Sequence, residues 1–253
     1  MREEWITSRK NPLLVQIRRL VSSRGARRSA GMFLGDGVKL LEEALKWGAP
    51  LETVVYSEGL DGPELPPEVR TVRVPEDVMA SISPMESPQG ALFLCRMWDT
   101  APPPCLEGGR YLVLDGLQDP GNVGTIWRTA DALEADGLLL VHGCADPFGP
   151  KVVRATMGAC FRLPVWETGP ERLAGLLERS GLALYATALR EDTEDIKTAD
   201  LSRSAVVIGS EGRGVSPELL AMSQRALKIP MRERCESLNA AAAAAVVLWE
   251  MGR

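Results

Sequence analysis

Three loops of this chain combine glycine, proline and polar side chains in patterns suited to holding a small ligand. The loop 209–218 has three glycines around the carboxylate of Glu211. Such glycines let backbone N–H groups approach a ligand closely. The spacing is neither G-x-G-x-x-G nor G-x-x-x-x-G-K-[ST], so the standard dinucleotide and triphosphate fingerprints are absent. Ser216 as a helix cap with Pro217 in the first helical position explains part of this loop, but not the upstream glycines.

The loop 115–130 reads D-G-L-Q-D-P-G-N-V-G-T-I-W-R-T-A. Its Pro120-Gly121 pair indicates a turn, and Asn122 is a good helix N-cap. Arg128 follows six residues later, within two turns of helix. In isolation these residues have a purely structural explanation, in which Asn122 caps the helix and Arg128 lies on its solvated face.

The third loop has Ile229-Pro230-Met231 followed by Ser237-Leu238-Asn239. Ser237 or Asn239 could cap the last helix, which begins in the alanine run 240–245. Alanine is a good helix former. Six alanines also make a helix face smooth enough for another helix to approach, so we expect an interface there.

Apolar strand-like runs precede all three loops and alternate with helical patterns. In the second half of the chain they are Tyr111–Leu114, Gly137–Val141, Leu182–Thr187, Ala205–Ile208 and Leu227–Ile229, with a final helix from about Ser237. Continuous apolar strands alternating with helices predict an α/β fold with a parallel sheet covered on both faces. Ligands of such sheets bind beyond the carboxyl ends of the strands, where the three loops lie.

The segment around Pro102–Pro104 is the clearest linker, because three prolines continue neither a helix nor a central strand. We therefore predict a first domain at 1–98, a linker at 99–107 and a second domain at 108–253. Helical spacing at 12–21 and 38–47 and strand-like runs at 53–56, 71–74 and 91–95 indicate that the first domain is also α/β.

Charge is unevenly distributed along the chain. The net charge is −5, yet residues 1–30 hold eight arginine or lysine residues and only two acidic ones. A basic arm on an acidic body suits local contacts with phosphates, although a solvated helix face would have the same composition. The arginines expected to contact RNA are Arg18, Arg19, Arg24, Arg27 and Arg28.

The five cysteines include no C-x-x-C pair, so we expect free thiols in a reducing cytoplasm and neither a disulfide framework nor a metal site. The N-terminus has no apolar signal core. The longest apolar run, 240–249, is too short and too rich in alanine to span a bilayer. These features predict a soluble cytoplasmic protein.

Together the three loops closely resemble the signature motifs of the SpoU (TrmH-type) branch of the SPOUT methyltransferases. The family pattern reads D-G-x-Q-D-P-x-N-x-G-x-x-x-R-T-A, then G-x-E-G-x-G, then I-P-M followed by S-L-N-A. All three occur here in order, and the segments 146–148, 151–158 and 186–189 also match. The resemblance covers residues 108–251 densely.

The resemblance implies a C-terminal parallel-sheet SPOUT domain with a deep trefoil knot, preceded by a small α/β RNA-binding sandwich domain. Asn11-Pro12, 35–37 and 87–90 are similar to that first domain. The chain has Asp36 where the family usually has Glu, and Arg232-Glu233-Arg234 where Gly is often present. These departures concern the identity of the substrate rather than the type of reaction.

The activity that the resemblance implies is transfer of a methyl group from S-adenosyl-L-methionine to a ribose 2′-hydroxyl of RNA, most simply ribosomal RNA. A transfer RNA methyltransferase and a non-catalytic RNA-binding member of the fold are the alternatives. A generic nucleotide-binding protein fits less well, because the phosphate fingerprints are missing.

The residues carried over from the family fall into two sets. Those expected to bind the cofactor are Thr187, Gly209, Gly212, Ile229, Met231 and Leu238. Those expected at the reacting centre are Asn122, Arg128, Glu211, Ser237 and Asn239. We interpret Arg128 first as a clamp on a phosphate and on the developing oxyanion, since a guanidinium is an awkward base; a role as the general base stays open.

The small-residue run Ala240–Ala245 and the family's habit of completing its site across two chains favour a homodimer through the C-terminal domain. His142 follows a strand end, and we expect a core or loop role for it rather than catalysis.

Overall fold

The computed structural model describes residues 4–188, 193–232, 234 and 237–253. Cys235, Leu189 of the matched segment 186–189, and Glu233 of the departing stretch 232–234 lie outside the described residues. The chain forms two compact units. Unit 1 comprises residues 1–98 and 146–161, and unit 2 comprises 99–145 and 162–253.

Unit 1 contains a mixed five-stranded sheet and its helices. Its elements from the first 98 residues are β1 (Glu4–Trp5), α1 (Pro12–Ser22), α2 (Arg24–Ala30), β2 (Met32–Asp36), α3 (Val38–Lys46), β3 (Leu51–Ser57), β4 (Arg70–Val74), α4 (Glu76–Ile82) and β5 (Ala91–Arg96). The strand order is β1-β4-β3-β5-β2. The β5 strand is antiparallel to both neighbours, whereas β1, β4 and β3 are parallel.

The helix α1 begins where its sequence predicts. The side chain of Asn11 accepts a hydrogen bond from the backbone N–H of Leu13 at 2.9 Å, and Pro12 occupies the first turn. The apolar stripe of α1, which includes Leu14 and Ile17, is fully buried in a core shared with α4 and the sheet. Burying this stripe stabilises the helix more than its intrinsic propensity does.

Aromatic side chains join the segment 146–161 to the other residues of unit 1. The ring of Phe148 lies 5.2 Å from that of Phe33 and 4.8 Å from that of Trp98. Phe33 on β2 is fully buried. Gly35 on the same strand has no room for a side chain, because a Cβ atom there would lie 2.0 Å from the ring of Phe93.

The division into units differs in one respect from the domain boundaries expected from the sequence. The first unit's N-terminal part ends at Trp98, as in the predicted first domain, but residues 146–161 also belong to unit 1. A fragment covering only 108–253 would expose the ring of Phe148, which unit 1 otherwise buries. Full-length chain is therefore the proper material for binding experiments.

A buried ion pair also belongs to unit 1. The guanidinium of Arg27 donates to Oδ2 of Asp146 at 2.9 and 2.7 Å and to the carbonyl of Leu20. The two charged side chains are only 7% and 10% exposed. Arg27 thus has a structural role, which corrects its assignment to the RNA-binding arginines.

Unit 2 contains a seven-stranded sheet in which every pair is parallel. The elements that follow β5 in the chain are β6 (Arg110–Asp115), α5 (Pro120–Ala132), β7 (Gly137–Val141), α6 (Pro150–Ala155, in unit 1), β8 (Val165–Glu167), α7 (Pro170–Ser180), β9 (Ala183–Thr187), β10 (Glu194–Asp195), β11 (Ser204–Gly209), α8 (Pro217–Met222), β12 (Arg225–Lys228) and α9 (Ala240–Met251). The strand order is β10-β12-β9-β11-β6-β7-β8.

The predicted α/β class and parallel sheet of the second half are confirmed. All five residues of β7 are buried, as expected for a continuous apolar strand covered on both faces. The trefoil knot stays a prediction. Within the described ranges, no helix combines the length and apolar character needed to cross a membrane.

The Arg27–Asp146 pair yields a test of the first unit. Arg27→Met should lower the free energy of unfolding by up to about 3–5 kcal/mol, because it leaves the buried carboxylate of Asp146 with only the more distant guanidinium of Arg28, at 3.8 Å. Arg19→Met, at an exposed position of α1, should change it by less than about 0.5 kcal/mol. Urea unfolding followed by tryptophan fluorescence measures both, and equal small shifts would contradict a structural role for Arg27.

Candidate active site

The carboxyl ends of three adjacent parallel strands meet at one edge of the unit 2 sheet. Asp115 ends β6, Gly209 ends β11 and Thr187 ends β9. Asp115 and Gly209 are register partners, and Thr187 is the register partner of Leu227 on β12. Each of the three loops singled out in the sequence therefore starts at, or close after, this edge.

The loop after β11 is folded back on itself. Ser210 and Gly214 exchange backbone hydrogen bonds of 3.1 and 2.8 Å. A Cβ atom on Gly209 would lie 2.1 Å from the carbonyl carbon of Gly214, so a larger residue would force the backbone apart. Gly214 has φ +67°, in the left-handed region that favours glycine. The glycines therefore close this loop, which presents Glu211.

The carboxylate of Asp115 anchors the loop that follows β11. Its carboxylate is 3% exposed, and its Oδ2 accepts the backbone N–H of Ser216 at 2.6 Å. Ser216 in turn caps α8, with Pro217 in the first turn, as the sequence predicted. A buried carboxylate that accepts a backbone N–H is a strong, charge-assisted contact.

The other oxygen of Asp115 binds His142. Asp115 Oδ1 lies 2.6 Å from Nδ1 of His142, whose Nε2 lies 3.3 Å from Oε2 of Glu218 on α8. His142 has φ +53°, an uncommon conformation for a residue other than glycine. The hydrogen bond that His142 donates to Asp115 raises the pKa of His142, and Glu218 adds to this effect, whereas burial opposes it.

Three side chains from three loops meet at Glu211. Its Oε1 accepts hydrogen bonds from Nδ2 of Asn122 at 2.9 Å and from Nδ2 of Asn239 at 2.7 Å. Nδ2 of Asn239 also lies 3.1 Å from Oδ1 of Asn122. We call Asn122, Glu211 and Asn239 the polar triad.

Helix capping fixes the orientation of these amides. Oδ1 of Asn239 accepts the backbone N–H groups of Ala241 and Ala242 at 2.9 and 3.3 Å, so its Nδ2 must point towards Glu211. The second carboxylate oxygen, Glu211 Oε2, has no hydrogen-bond donor in the part of the chain that the structure describes. That oxygen is available to accept a hydrogen bond from a ligand.

A cleft of about 280 Å³ lies beside the polar triad. Its walls are Thr187, Ala188, Ile208, Gly209, Ser210, Glu211, Gly214, Leu227, Ile229, Met231, Ser237, Leu238, Ala240 and Ala243. Most of these residues present apolar side chains or backbone. Oγ1 of Thr187 donates to the carbonyl of Val207 at 2.8 Å, which fixes its side chain in the wall.

The structure gathers most of the residues expected from the sequence. Five of the six residues expected to bind the cofactor line the cleft, and the exception, Gly212, is exposed in the loop beyond it. Of the residues expected at the reacting centre, Ser237 and Glu211 line the cleft, and Asn122 and Asn239 complete the polar triad.

Arg128 does not join them. It is exposed on α5, and its side chain makes no hydrogen bond or ion pair with any residue that the structure describes. The expected cap is also corrected: Asp119 caps α5 by accepting the N–H of Asn122 at 2.7 Å, which leaves the Asn122 side chain free for Glu211. A second acidic residue within the loop made this capping possible.

The arginines expected to bind RNA lie in unit 1. Arg19, Arg24 and Arg28 are exposed, whereas Arg18 is half-buried and donates to the carbonyl of Arg9. Arg28 also lies over the ring of Phe148, 5.3 Å from its centroid.

Sequence reasoning missed the Asp115–His142–Glu218 chain. One signal was available, because Asp115 is a carboxylate directly after a run of apolar strand residues, where burial without a partner is costly. Its partners could not be inferred, since Ser216 lies 101 residues further along the chain.

His142 gives a pH-dependent prediction. Because its pKa is raised above the ordinary value of 6.5, the protonated side chain stabilises the fold below that pH, and the contribution is lost as pH rises through the raised pKa. His142→Asn tolerates the left-handed backbone but does not titrate. The unfolding temperature of the wild type should therefore fall relative to that of this variant as the pH rises above 6.5 and through the raised pKa of His142. Unfolding temperatures that change with pH in the same way in both proteins would exclude a contribution from protonation of His142.

Comparison with known proteins identifies the family. The SpoU rRNA Methylase family matches residues 109–249, and an MRM3-like substrate binding domain matches residues 11–92. An uncharacterized tRNA/rRNA methyltransferase of Synechocystis sp. is 36% identical over 98% of this chain and 93% of its own. The 23S rRNA (guanosine(2553)-2′-O)-methyltransferase of Bacillus subtilis is 32% identical over 97% of this chain and 98% of its own.

A solved structure is similar in fold over the same length. The S-adenosylmethionine-bound rRNA methyltransferase of Sinorhizobium meliloti has a TM-score of 0.86 and 31% identity, covering 98% of this chain and 97% of that one. Both halves of the chain, with their motifs, are thus matched together, and the chain belongs to the SpoU rRNA methylase family.

Proposed function

We propose that this protein transfers a methyl group from S-adenosyl-L-methionine to a ribose 2′-hydroxyl of RNA, and that ribosomal RNA is its substrate. The observation that carries the proposal is the polar triad at the rim of an apolar cleft, built from loops that end adjacent parallel strands. Family membership supports the reaction, and the ribosomal RNA methyltransferases among its relatives support the substrate class.

The cleft suits the proposed cofactor. Leu227, Ile229, Met231 and Leu238 offer apolar contacts for a nucleobase, and Gly209 allows close approach of the backbone. When bound, the cofactor supplies an electrophilic methyl group and needs no metal. We assign its binding to Thr187, Gly209, Ile229, Met231 and Leu238, and not to Gly212.

The polar triad suits the acceptor side of the reaction. A ribose hydroxyl is a weak nucleophile, so the site must orient it and help to remove its proton. Glu211 Oε2 is an acceptor that can receive a hydrogen bond from such a hydroxyl, because Asn122 and Asn239 occupy only Oε1. Ser237 in the cleft wall adds a hydroxyl beside it.

The position of Arg128 on α5 separates it from the polar triad of its own chain. On a helix with 3.6 residues per turn, position 128 lies about 9 Å further along the axis than position 122 and about 120° around it. Arg128 therefore does not face the polar triad of its own chain. We infer that a second copy of the chain supplies Arg128 to each site, where it clamps a phosphate or the developing oxyanion.

The helix α9 offers a surface for that second copy. Ala240, Ala241 and Ala244 are buried within unit 2, so this side of the alanine run is already occupied by the chain itself. The outward side carries Trp249, which is 64% exposed, together with Ala242. A large aromatic residue beside small ones suits a helix-to-helix contact, and we propose a homodimer through it.

We also propose that the exposed arginines of the first unit contact RNA phosphates. Arg19 on α1 and Arg24 and Arg28 on α2 are the exposed members of the set. Such contacts release counterions, so RNA binding should weaken as salt is raised.

Glu211→Gln tests the polar triad. The amide keeps the volume of the side chain but puts donors where acceptors are needed, so turnover with RNA should fall on the order of 10²–10³-fold. Binding of S-adenosylmethionine should persist, because the cleft wall is otherwise unchanged. Glu178→Gln on the exposed side of α7 is the matched control. Radiolabelled methyl transfer and calorimetry measure the two effects, and near wild-type turnover would remove Glu211 from the reaction.

Mixing inactive variants tests the supply of Arg128 from a second chain. Arg128→Ala and Glu211→Gln should each be inactive alone. A heterodimer of the two would hold one intact site, so an equal mixture should recover about a quarter of wild-type activity. If Arg128 acted within its own chain, neither site of the heterodimer would be intact.

Trp249→Glu supplies the control for this mixing experiment. A charge at the proposed contact should give a monomer by light scattering, and adding it to both inactive variants should abolish the recovery. The shared site would be contradicted if mixtures carrying Trp249→Glu recovered activity as monomers. It would also be contradicted if mixtures that keep Trp249 recovered no activity.

A further inference from the structure

A second cavity, of about 700 Å³, lies within unit 1. The residues that matter among its walls are Asp36, Lys39, Glu42, Gln89, Arg154 and Met157. They come from the end of β2, the first turns of α3, the loop before β5, and α6 with the second residue beyond its end. Its volume is within the range of small-molecule sites, and neither the cofactor nor the polar triad uses it.

Arg154 is the most unusual group in this cavity. Its Nη1 is completely buried and has no hydrogen-bond partner among the residues that the structure describes. Leaving a buried guanidinium donor unpaired is costly, because the group has lost water and gained nothing in exchange. Because Arg154 also lines this cavity, a group from outside the chain is needed as the acceptor, and a ligand bound there can supply it.

Asp36 provides the complementary acceptor. The residue is 7% exposed, and its Oδ2 accepts a hydrogen bond from Ser83 at 3.1 Å. Within the described chain, Oδ1 has no donor. Burial raises the pKa of Asp36, and the charge of Arg154 opposes this rise only in part. Further N–H donors would therefore stabilise its carboxylate.

The walls of the cavity carry both hydrogen-bond donors and acceptors. Gln89 lies against Gly37, where a Cβ atom would be 2.3 Å from Gln89 Oε1, so the amide is held at this edge. The same walls carry two cationic side chains, Lys39 and Arg154, and three acidic ones, Asp36, Glu42 and Glu43. A phosphate would meet the carboxylates unfavourably, whereas a nucleobase edge offers both acceptors and N–H donors.

We propose that this cavity binds one unstacked nucleobase of the RNA substrate, and that guanine fits it best. Arg154 would donate to the O6 and N7 acceptors, the pairing that arginine makes most often with guanine. Asp36 would accept from the N1–H and amino donors. Recognition of RNA sequence generally uses such splayed-out bases. This inference rests on the proposed function, since it assumes an RNA substrate.

Binding of short RNAs to the full-length protein tests the proposal. The probes are four fluorescent pentaribonucleotides, UUGUU, UUAUU, UUCUU and UUUUU, titrated at fixed salt. The wild type should bind UUGUU on the order of tenfold more tightly than UUUUU, because a bidentate arginine contact distinguishes bases by about that factor. Equal affinity for all four would overturn the proposal.

Variants then connect the preference to the cavity. Arg154→Lys keeps the charge but loses the planar fork, so it should remove the preference for UUGUU and leave UUUUU binding nearly unchanged. Asp36→Asn should reduce the same preference, since it exchanges an acceptor for a donor. Arg96→Lys, at a position of β5 where the arginine is 71% exposed, is the matched control and should keep the preference. Unchanged unfolding temperatures show that the variants fold.

The outcomes separate this inference from the proposed function. If Arg154→Lys or Arg154→Gln weakens all four RNAs equally and lowers the salt slope by about one, Arg154 contacts a phosphate and the base pocket is wrong. If S-adenosylmethionine binds and methyl transfer proceeds while the four RNAs bind alike, only this inference fails. If neither cofactor binding nor methyl transfer occurs, both fail.

Discussion

The candidate site depends on the buried carboxylate of Asp115. It connects the end of β6 to the backbone of Ser216 and to His142 beyond β7, so one side chain determines where two loops stand. In the low dielectric of the sheet edge these charge-assisted contacts are strong, and an unpaired carboxylate there would be costly. The loop that presents Glu211 is therefore fixed before any ligand arrives.

The hydrogen bonds within the polar triad do not by themselves fix the positions of its side chains. Glu211 and Asn239 are exposed, and hydrogen bonds between exposed groups contribute little net free energy. Their positions come instead from the backbone: Gly209 and Gly214 close the loop, and Asn239 is tied to the first turn of α9 as its cap. The backbone is therefore ordered, while the side chains of the polar triad are joined only by weak hydrogen bonds. A substrate can replace these hydrogen bonds with its own.

Local patterns predicted the elements of the fold well where burial is continuous. The run Gly137–Val141 matches β7 at both ends, and the loops that follow the strands were expected at the carboxyl edge of the sheet. The polar triad was named in full, but through resemblance to a family rather than from spacing, because Asn122 and Glu211 lie 89 residues apart.

Long-range packing could not be predicted in the same way. Arg27 has the composition of a solvated helix face, yet it is buried because Asp146, 119 residues away, returns to unit 1. Asn122 is a good cap by type, but Asp119 precedes it and competes for the same role. The orphaned donor of Arg154 is visible only once α6 is placed beside β2.

The position of the transferred methyl group distinguishes methylation of the ribose from methylation of a base. Ribosomal RNA would be incubated with the protein and S-adenosylmethionine carrying a tritiated methyl group, and then hydrolysed with alkali. A methyl group on the ribose 2′-oxygen removes the nucleophile that alkali needs, so the label should appear in alkali-resistant dinucleotides. Label recovered only in mononucleotides would place the methyl group on a base and exclude transfer to the ribose 2′-oxygen.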